Sequence, residues 1–556
     1  MGIKGKIKKW IKETLDMSKE IVLIHPTNIE YGNFSFIVSG KEAKEYAEKL
    51  AEKKLPEIEK VVFIAPRFIN LYLSKGFFTD SIKEILEKQE DFGKNDLLGQ
   101  KKFFIEHTQP NPFKEFHIGH LMNNTIGESI VRIVQANGGD VKTATYHGDV
   151  GLHVAKAVWG MLKTPDSFID AYARGHKEYE ENENAKNEII EINKKIYDRS
   201  DNQINTLYEV SKRNSLDCFE NLYKRLDSQF NFHFYESEAG EIGKKIVLEN
   251  VGKVFEKSEG AIIFRGERLG LHTRVFLNSD RLPTYEAKEV GLAQMKKDLW
   301  PYTCSITVTA NEQDAFFDVV EVAIGEVFPE LKGKLKHLSH GILKLPSGKM
   351  SSRTGTIISA ESLIDQVKEK IIEKIKDRGF PDEEKENVAE TVAIGAIKYS
   401  ILRQAIGGNI VFDFDKSISF EGDSGPYLQY TYTRAHSVLE KARTSRVPLA
   451  PHEAGEVSRI PLGMNIPRGI LDTSESERYL YRFPEIVEKA GREFAPHIIV
   501  TYLVELASMF NSFYAKEKII DENDPTSPYK IALTAAVAHI LKNGLYLLSI
   551  KTLEKM

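Results

Sequence analysis

Apolar positions in the first part of the chain change between helical and strand spacing. In the opening segment MGIKGKIKKWIKETL, Ile3, Ile7, Trp10 and Ile11 fall on one side of a helix and the lysines fall on the other. A second helical stretch, AKEYAEKLAEKKLPEIEK, is followed by the runs VVFIAP and FINLYL, which are typical of strands. The pattern predicts a small α+β unit over residues 1–98.

From Lys101 the pattern becomes a strand followed by a helix, twice in succession. FFIEHT leads into IGHLMNNTIGESIVRIVQANGG, and VKTATYH leads into a helix that begins near Gly151. Strand patterns return at AIIFRG and CSITVTA and close near HGILKLPSGKMSSRTG. This succession predicts a Rossmann-like, doubly wound parallel sheet over residues 99–360.

Two further regions have helical patterns. Residues 165–255 are charged and helical, which favours an insertion on the exterior of the sheet. From Glu361 onward almost everything is helical, and the one marked interruption is TSRVPLAPHEAGEVSRIPLGMNIPRG, a segment rich in Pro and Gly that is typical of a long loop. We therefore expect an α/β catalytic unit with an all-α region at its carboxyl side.

Composition narrows the class of protein. The 556 residues are 41% apolar and 28% charged, which is typical of a globular protein with several buried cores. Cys218 and Cys304 are the only cysteines, which excludes a disulfide framework and a four-thiolate zinc site and favours a reducing, cytoplasmic setting. No window approaches 18 uncharged apolar residues, so we predict no membrane span. The net charge of −5 argues against a protein that binds polyanions through a general positive charge, but it does not indicate which kind of partner the protein has.

The stretch HTQPNPFKEFHIGHL carries the first candidate chemistry. A helix that follows a strand in such a sheet directs its free N–H groups and its positive dipole end at the edge where anions bind. His117 and His120 are three residues apart, so their rings emerge on one side of the first turn, and Gly119 lets a flat ring or a phosphate approach the backbone. The pattern predicts a nucleoside triphosphate site. A metal site is disfavoured, because His107 is predicted to lie on the strand and no acidic ligand has metal-like spacing.

A second segment, PSGKMSSRTG, supports the phosphate hypothesis. It is a Gly- and Ser-rich loop after a strand pattern, and it places Lys349 and Arg353 beside two hydroxyls and several free N–H groups. Alone, it would be interpreted as a solvated turn. Because it lies at the other end of the same sheet pattern from the histidine pair, the two segments together indicate a site for ATP.

HIGH followed much later by KMSSR resembles the signature pair of the class I aminoacyl-tRNA synthetases, and PNPFKEFHIGHL resembles the extended first signature of the arginyl-tRNA synthetases. YHGDVGLH, FEGDSGPYLQYTYTRAHSVL and the tail LKNGLYLLSIKTLEKM are similar to segments of the arginyl-tRNA synthetases in particular. The N-terminal unit, with IAPRFINLYLS, resembles that family's additional domain, which contacts the tRNA elbow. The implied domains are an additional domain (1–98), a catalytic domain (99–360), a helical stem-contact region (361–423) and a helical anticodon-binding domain (424–556).

The resemblance also implies roles for residues at the ATP site. The two histidines would stabilise the pentacovalent transition state at the α-phosphate, with the intervening glycine under the adenine. Lys349 would hold the departing pyrophosphate. Most class I enzymes have a second lysine where this chain has Ser352, and Lys114 occupies a place from which it would supply the missing charge. The implied catalytic set is His117, His120, Lys114 and Lys349, and the implied ATP-binding set is Gly119, Ser351, Ser352 and Arg353.

The resemblance places the arginine pocket on both halves of the sheet. Glu289 stands where the family commonly has the shorter Asp, so either the substrate sits differently or the helix recedes. Thr145 stands where Asn is frequent, and Val150 where Trp is common. Each of three residues has an alternative structural interpretation. Tyr285 could be a core residue, Glu289 could lie on a solvated helix face, and Asn111 could form a turn. The implied arginine-binding set is Glu106, Thr108, Asn111, Tyr285, Glu289 and Gln313.

The implied reaction is the attachment of L-arginine to tRNA(Arg) through arginyl-adenylate. ATP with its accompanying Mg²⁺ is then a substrate, no zinc or resident metal is expected, and activation requires bound tRNA. A monomer is expected. Two alternatives stay open: a nucleotidyltransferase that uses the same H-x-G-H chemistry, and a catalytically silent relative that only binds RNA. Tyr427, Tyr430, Tyr432 and Arg434 are candidate anticodon contacts or core residues.

Overall fold

The computed structural model describes residues 2–38, 42–164, 167–344, 359–447 and 474–556. The strands of these residues are β1 Phe34–Ile37, β2 Ile58–Ile64, β3 Phe68–Leu73, β4 Lys102–Glu106, β5 Asp140–His147, β6 Phe232–Tyr235, β7 Glu256–Ser258, β8 Ala261–Phe264, β9 Arg274–Leu277, β10 Cys304–Ala310, β11 Leu335–His340, β12 Leu343–Lys344 and β13 Ile410–Val411. The α-helices are α1 Ile3–Leu15, α2 Ala43–Glu52, α3 Lys75–Lys88, α4 Ile118–Ala136, α5 Leu152–Lys163, α6 Phe168–Glu181, α7 Glu183–Asp198, α8 Asn202–Arg225, α9 Glu236–Glu249, α10 Tyr285–Leu299, α11 Asp314–Val327, α12 Ala360–Lys374, α13 Asp382–Leu402, α14 Phe414–Ser417, α15 Gly425–Thr444, α16 Ser474–Leu480, α17 Phe483–Glu493, α18 His497–Lys516 and α19 Ser527–Leu547.

The N-terminal unit has an antiparallel sheet of order β1-β3-β2, with α1 and α2 packed on it. The predicted opening helix is confirmed as α1, which buries Ile7, Trp10 and Ile11 in the core of the unit. The second predicted helix is shorter than expected, because α2 ends at Glu52 and β2 begins at Ile58. The unit does not stand alone, because Tyr481 from the C-terminal helices completes its core.

The predicted parallel sheet is confirmed, with the strand order β11-β10-β4-β5-β6. Within β4 the side chains alternate between two cores: Ile105 packs with α4 on one face, and Phe104 packs with α10 and α11 on the other. The strand order reverses between β4 and β10. In a doubly wound sheet, ligands bind beyond the carboxyl ends of the strands at such a switch point.

Two sequence predictions within the catalytic region were wrong. Residues 165–255 are not purely a helical insertion, because β6 pairs with β5 as the edge strand of the parallel sheet. The signal was the alternation of Phe230, Phe232 and Phe234, a short strand pattern surrounded by long charged helices. AIIFRG does not continue the parallel sheet either. Its residues form β8 of an antiparallel sheet, because the two residues at 259–260 form a hairpin turn with positive φ angles.

The C-terminal region is helical, as predicted, and most of its Pro- and Gly-rich segment lies outside the described residues. Among the described helices, α18 alone is long and apolar enough to cross a membrane by length and composition. It contributes Leu503, Leu506 and Phe510 to the core and packs against α15, α17 and α19. The absence of a membrane span stays a prediction.

Helices α9 and α10 cross with their backbones in close contact. A Cβ atom on Gly243 would lie 1.8 Å from the carbonyl oxygen of Ala287, and one on Gly291 would lie 1.9 Å from the carbonyl oxygen of Ala239. Only glycine therefore fits at these two positions. The contact fixes the distance of α10 from α9, and α10 carries Glu289 towards the switch point.

Candidate active site

The segment between β4 and α4 has an unusual backbone. Three of its non-glycine residues, Thr108, Gln109 and Phe113, have positive φ angles of 79°, 47° and 67°. Such conformations persist only where the surroundings hold them, and they concentrate at functional sites. Here the buried Phe113 is anchored by α8, since its backbone N–H donates a 3.1 Å hydrogen bond to the hydroxyl of Ser215.

His117 and His120 form the cap of α4. His117 is the N-cap residue, and its Nδ1 accepts a 3.1 Å hydrogen bond from the backbone N–H of Gly119. The backbone N–H of His117 donates in turn to Nδ1 of His120 at 3.2 Å, and the two rings stack with centroids 3.7 Å apart. Because both Nδ1 atoms accept, each neutral ring carries its hydrogen on Nε2. The cap thus leaves the Nε2–H groups of the two stacked rings as hydrogen-bond donors.

Burial keeps both rings neutral. Burial, followed by the charge of Lys114, lowers the pKa of His117 to about 4. Burial, followed by the neighbouring His117, lowers the pKa of His120 well below the ordinary value. At neutral pH the pair therefore donates hydrogen bonds without carrying charge. None of the described His, Cys, Asp and Glu side chains form a group of three or more that could hold a metal ion.

Lys114 lies beside the histidine pair and is covered by the helical insertion. Its Nζ is 5.2 Å from the ring centre of Tyr172 on α6, which is within the range of a cation–π contact. Burial, followed by the charge of Lys156, lowers the pKa of Lys114. The predicted partners of Lys114 at the ATP site, Lys349, Ser351, Ser352 and Arg353, lie outside the described residues.

A cleft of about 610 Å³ opens at the switch point of the sheet. It is lined by five of the six residues predicted for arginine, which come from the ends of β4 and β10 and from α10: Glu106, Asn111, Tyr285, Glu289 and Gln313. The remaining lining includes the carboxylates of Glu236, Glu286 and Glu312 and the guanidinium of Arg274. The structure therefore brings together residues that are far apart in the sequence, in a cavity dominated by acidic groups.

Most buried carboxylates of this cleft are neutralised by cations. Glu106 forms an ion pair with Lys296, and both side chains are almost fully buried. Glu236 pairs with Lys288 at 2.6 Å. Glu286 pairs with Arg274, its Oε1 lying 3.5 Å from Nη1 of the guanidinium. Each of these pairs balances one charge within the cavity wall, which is how buried ions are tolerated in proteins.

Glu289 is the exception. In the described part of the chain it has no ion-pair or hydrogen-bond partner, although it faces the cleft from α10. Burial, followed by the negative charge of Glu106, raises the pKa of Glu289. A cation that entered the cleft would stabilise the charged form of this carboxylate and satisfy its oxygens. Among the described carboxylates of the cleft, the half-buried Glu289 and the exposed Glu312 are therefore the two left for a positively charged group.

The other predicted arginine residues differ in their surroundings. Tyr285 is 62% exposed at the mouth of the cleft, so it is not a core tyrosine. Asn111 accepts a 3.2 Å hydrogen bond from the N–H of Gly148 and so holds two loops together at the cavity wall. Thr108 does not line the cleft. Its hydroxyl is buried, 2.8 Å from Nδ1 of His107, and it accepts a 3.1 Å hydrogen bond from Asn124.

The two buried lysines and Glu236 were missed in the sequence. Lys296 follows Glu289 by two helical turns, so the helical spacing places both on the same face of α10 and was a usable signal. Glu236 was not predicted as a site residue because β6, the strand directly before it, was not recognised. The loop after β5 also has a structural acid, since the fully buried Asp149 accepts hydrogen bonds from Lys212 and Ser237 and joins α8 to α9.

Comparisons with known proteins identify the relatives of this chain. A family model described as tRNA synthetases class I (R), catalytic domain, matches residues 81–414, and one described as DALR anticodon binding domain matches residues 428–556. The arginine–tRNA ligase of Treponema denticola is 30% identical over 98% of this chain and 96% of its own length. That of Borrelia turicatae is 29% identical over 100% and 99%.

Solved structures share the fold. The arginyl-tRNA synthetase of Thermus thermophilus has a TM-score of 0.74 at 21% identity and covers 100% of both chains. That of Plasmodium falciparum has a TM-score of 0.78 at 19% identity and covers 100% of this chain and 99% of its own. The shared architecture therefore runs through the whole length of the chain.

Proposed function

The chain belongs to the arginyl-tRNA synthetase family, and on this basis we propose that it attaches L-arginine to tRNA(Arg). In the first step, a carboxylate oxygen of arginine attacks the α-phosphate of ATP, and pyrophosphate leaves to give arginyl-adenylate. In the second step, the ribose 2′-hydroxyl at the end of the tRNA attacks the activated carbonyl, and AMP leaves. ATP brings its own Mg²⁺, so the ion is part of the substrate.

The unpaired Glu289 is the observation that carries the choice of amino acid. A guanidinium is a planar cation with five donors, and a carboxylate binds it with two parallel hydrogen bonds. Three neighbouring carboxylates, Glu106, Glu236 and Glu286, already have cations, so a guanidinium that enters the cleft pairs with Glu289. Tyr285 at the mouth adds an aromatic face and a hydroxyl. A neutral amino acid would leave the vacancy unfilled.

The histidine pair supports the adenylation step. Both Nε2–H groups are donors at the N-terminus of α4, where a phosphate is also favoured by the helix dipole. As the α-phosphate becomes pentacovalent its oxygens gain charge, and fixed donors stabilise that charge without rearrangement. Lys114 and the predicted loop residues Lys349, Ser351, Ser352 and Arg353 would hold the β- and γ-phosphates from two sides, with Gly119 under the adenine.

Helical domains beside the catalytic sheet suit a tRNA substrate. We assign residues 1–98 to the tRNA elbow, 361–423 to the acceptor stem and 424–556 to the anticodon. The first and last of these units contact each other, since Nε2 of His25 lies 3.0 Å from Glu485. Of the candidate anticodon residues, Tyr432 is buried and Arg434 donates to Asn511, which favours core roles for both. A cytoplasmic monomer remains our expectation.

The proposed reaction is tested by pyrophosphate exchange with each amino acid in turn, with and without bulk tRNA. We expect exchange with arginine alone, and only when tRNA is present. Rapid exchange with arginine in the absence of tRNA would contradict the tRNA requirement, and a preference for another amino acid would overturn the assignment. A nucleotidyltransferase would show no dependence on any amino acid, and a silent relative would show no exchange.

The pH dependence tests the protonation state of the histidine pair. Because the pKa of His117 is lowered to about 4 and that of His120 is lowered well below its ordinary value, both rings stay neutral near pH 7. We expect the rate of arginine activation to show no ionisation of these rings between pH 6 and pH 8, as measured by pyrophosphate exchange at saturating substrates. If titration of either ring by NMR gave a pKa near 6.5, the neutral-donor role would be wrong.

A further inference from the structure

A chain of hydrogen bonds leaves the cleft at Glu106 and runs through the interior to the end of β11. The side-chain amide of Gln109 donates to Oε1 of Glu106 at 2.8 Å. Asn123 on α4 donates from Nδ2 to Oε1 of Gln109 at 3.2 Å. Oδ1 of Asn123 meets Nε2 of His340, whose Nδ1 lies 2.7 Å from the carbonyl oxygen of Gly341. Four side chains from three different elements are thus joined in series.

The carboxylate fixes the direction of this chain. Beside the ammonium of Lys296, Glu106 accepts hydrogen bonds and donates none. Gln109 must therefore present its NH₂ group to Glu106 and its oxygen to Asn123. Asn123 in turn presents its NH₂ group to Gln109 and its oxygen to the imidazole. The chain is complete only if His340 supplies a hydrogen from Nε2, and because its Nδ1 faces a carbonyl oxygen, which only accepts, a ring that satisfies both partners carries a hydrogen on each nitrogen.

Gln109 is half-buried and lines the cleft, whereas the other three members of the chain are too deeply buried for water to replace them. Glu106 is 2% exposed, Asn123 is 9% exposed and His340 is 3% exposed. Gln109 lies in the strained segment, with a φ angle of 47°, so its side chain depends on partners to remain in place. Loss of the donor at the far end would leave an unsatisfied oxygen on Asn123 and loosen every amide before it.

We propose that Asn123 and His340 are positioning residues for arginine activation, which through Gln109 hold the carboxylate of Glu106 in its orientation in the cleft. The proposal rests on the proposed function, because it assigns Glu106 to the arginine site. Neither residue touches the substrate. Their effect is on arginine binding, since Glu106 lies in the cleft and not at the triphosphate.

Two substitutions of His340 separate this role from simple packing. His340→Phe keeps an aromatic ring but removes the donor. His340→Gln removes the ring but keeps an N–H donor at the distance of Nε2. If the chain of hydrogen bonds is what matters, the KM for arginine should rise about three- to tenfold in His340→Phe and stay near that of the wild type in His340→Gln, with kcat and the KM for ATP nearly unchanged in both.

Asn123→Ala provides the second measurement, and Asn137→Ala is its matched control. Asn137 is a fully buried amide at the other end of the same helix, and it donates two hydrogen bonds far from the cleft. We expect both alanine variants to lower the melting temperature, but only Asn123→Ala to raise the KM for arginine, by about tenfold. Combined with His340→Phe it should raise the KM no further, because both changes break one chain.

Three results would overturn the proposal. One is a normal KM in His340→Phe with a raised KM in His340→Gln, which would indicate packing. Another is an unchanged KM for arginine in Asn123→Ala, and the third is additive effects in the double variant. The wild-type exchange assay is run first: failure to activate arginine there would reject the proposed function itself, whereas a normal wild type with any of these three results would reject only the positioning role.

Discussion

Lys114→Ala is expected to slow arginine activation by about 10² to 10³. Removal of a solvated lysine changes stability by about 0.5 kcal/mol or less, whereas loss of a charge contact made in the transition state raises the barrier by roughly 3 to 4 kcal/mol. Lys114 is half-buried beside the histidine pair, with its ammonium 5.2 Å from the ring centre of Tyr172, so it is not a fully solvated lysine. Single-turnover adenylate formation measures the rate directly.

The same experiment needs a control and a rescue. Lys177→Ala removes an exposed lysine from α6, the helix that covers Lys114, and should change neither the rate nor the melting temperature. Ser352→Lys adds a charge to the second signature and should restore part of the rate lost in Lys114→Ala. A nearly unimpaired Lys114→Ala enzyme would refute the idea that Lys114 compensates for the missing lysine. Failure of the rescue would show that the two positions are not interchangeable.

Glu289→Gln is expected to raise the KM for arginine at least tenfold while leaving that for ATP nearly unchanged. The substitution keeps the size of the side chain but removes its negative charge, for which no described residue of the cleft provides a cation. A buried donor without its partner destabilises the complex by about 1 to 3 kcal/mol, and by more when the donor is charged. Pyrophosphate exchange at varied arginine and varied ATP separates the two constants.

Glu241→Gln is the matched control for this prediction. Glu241 is an exposed acid on α9, the helix that packs directly against α10, and its substitution should leave both constants unchanged. Equal increases in the KM for arginine and for ATP in Glu289→Gln, together with a lower melting temperature, would mean that Glu289 supports the fold and does not bind the substrate.

The parts of the fold that the sequence predicted are those that depend on local pattern. The start of α4 directly after β4 was predictable from the change in apolar spacing, whereas the capping role of His117 was not. Glu289 was located through a resemblance and Lys296 was overlooked, although helical spacing puts both on one face. Strand β6 was not predicted, because its four residues are too few to give a clear alternation of apolar and polar positions.

The remaining features depend on contacts between distant segments. Asn123 and His340 are 217 positions apart, and their hydrogen bond exists only because β11 lies two strands from β4 in the folded sheet. The neutralisation of Glu106, Glu236 and Glu286 depends likewise on how α10 meets its neighbours. These ion pairs join residues of different elements, and the periodicity of a single segment does not predict them. The charges that line the cleft could therefore be paired only once the folded structure was known.

The close crossing of α9 and α10 sets how the substrate pocket can change over evolution. Because Gly243 and Gly291 bring backbone against backbone, a side chain at either position would force α9 and α10 apart. In the proposed site, the length of the acid at position 289 therefore helps to set how far its carboxylate reaches into the cleft. With α10 fixed against α9, we predict that aspartate at position 289 would leave room in the proposed site for a cationic ligand longer by about one methylene. Because the two glycines fix the distance between α9 and α10, the length of the side chain at position 289 is the proposed determinant of the length of the bound amino acid.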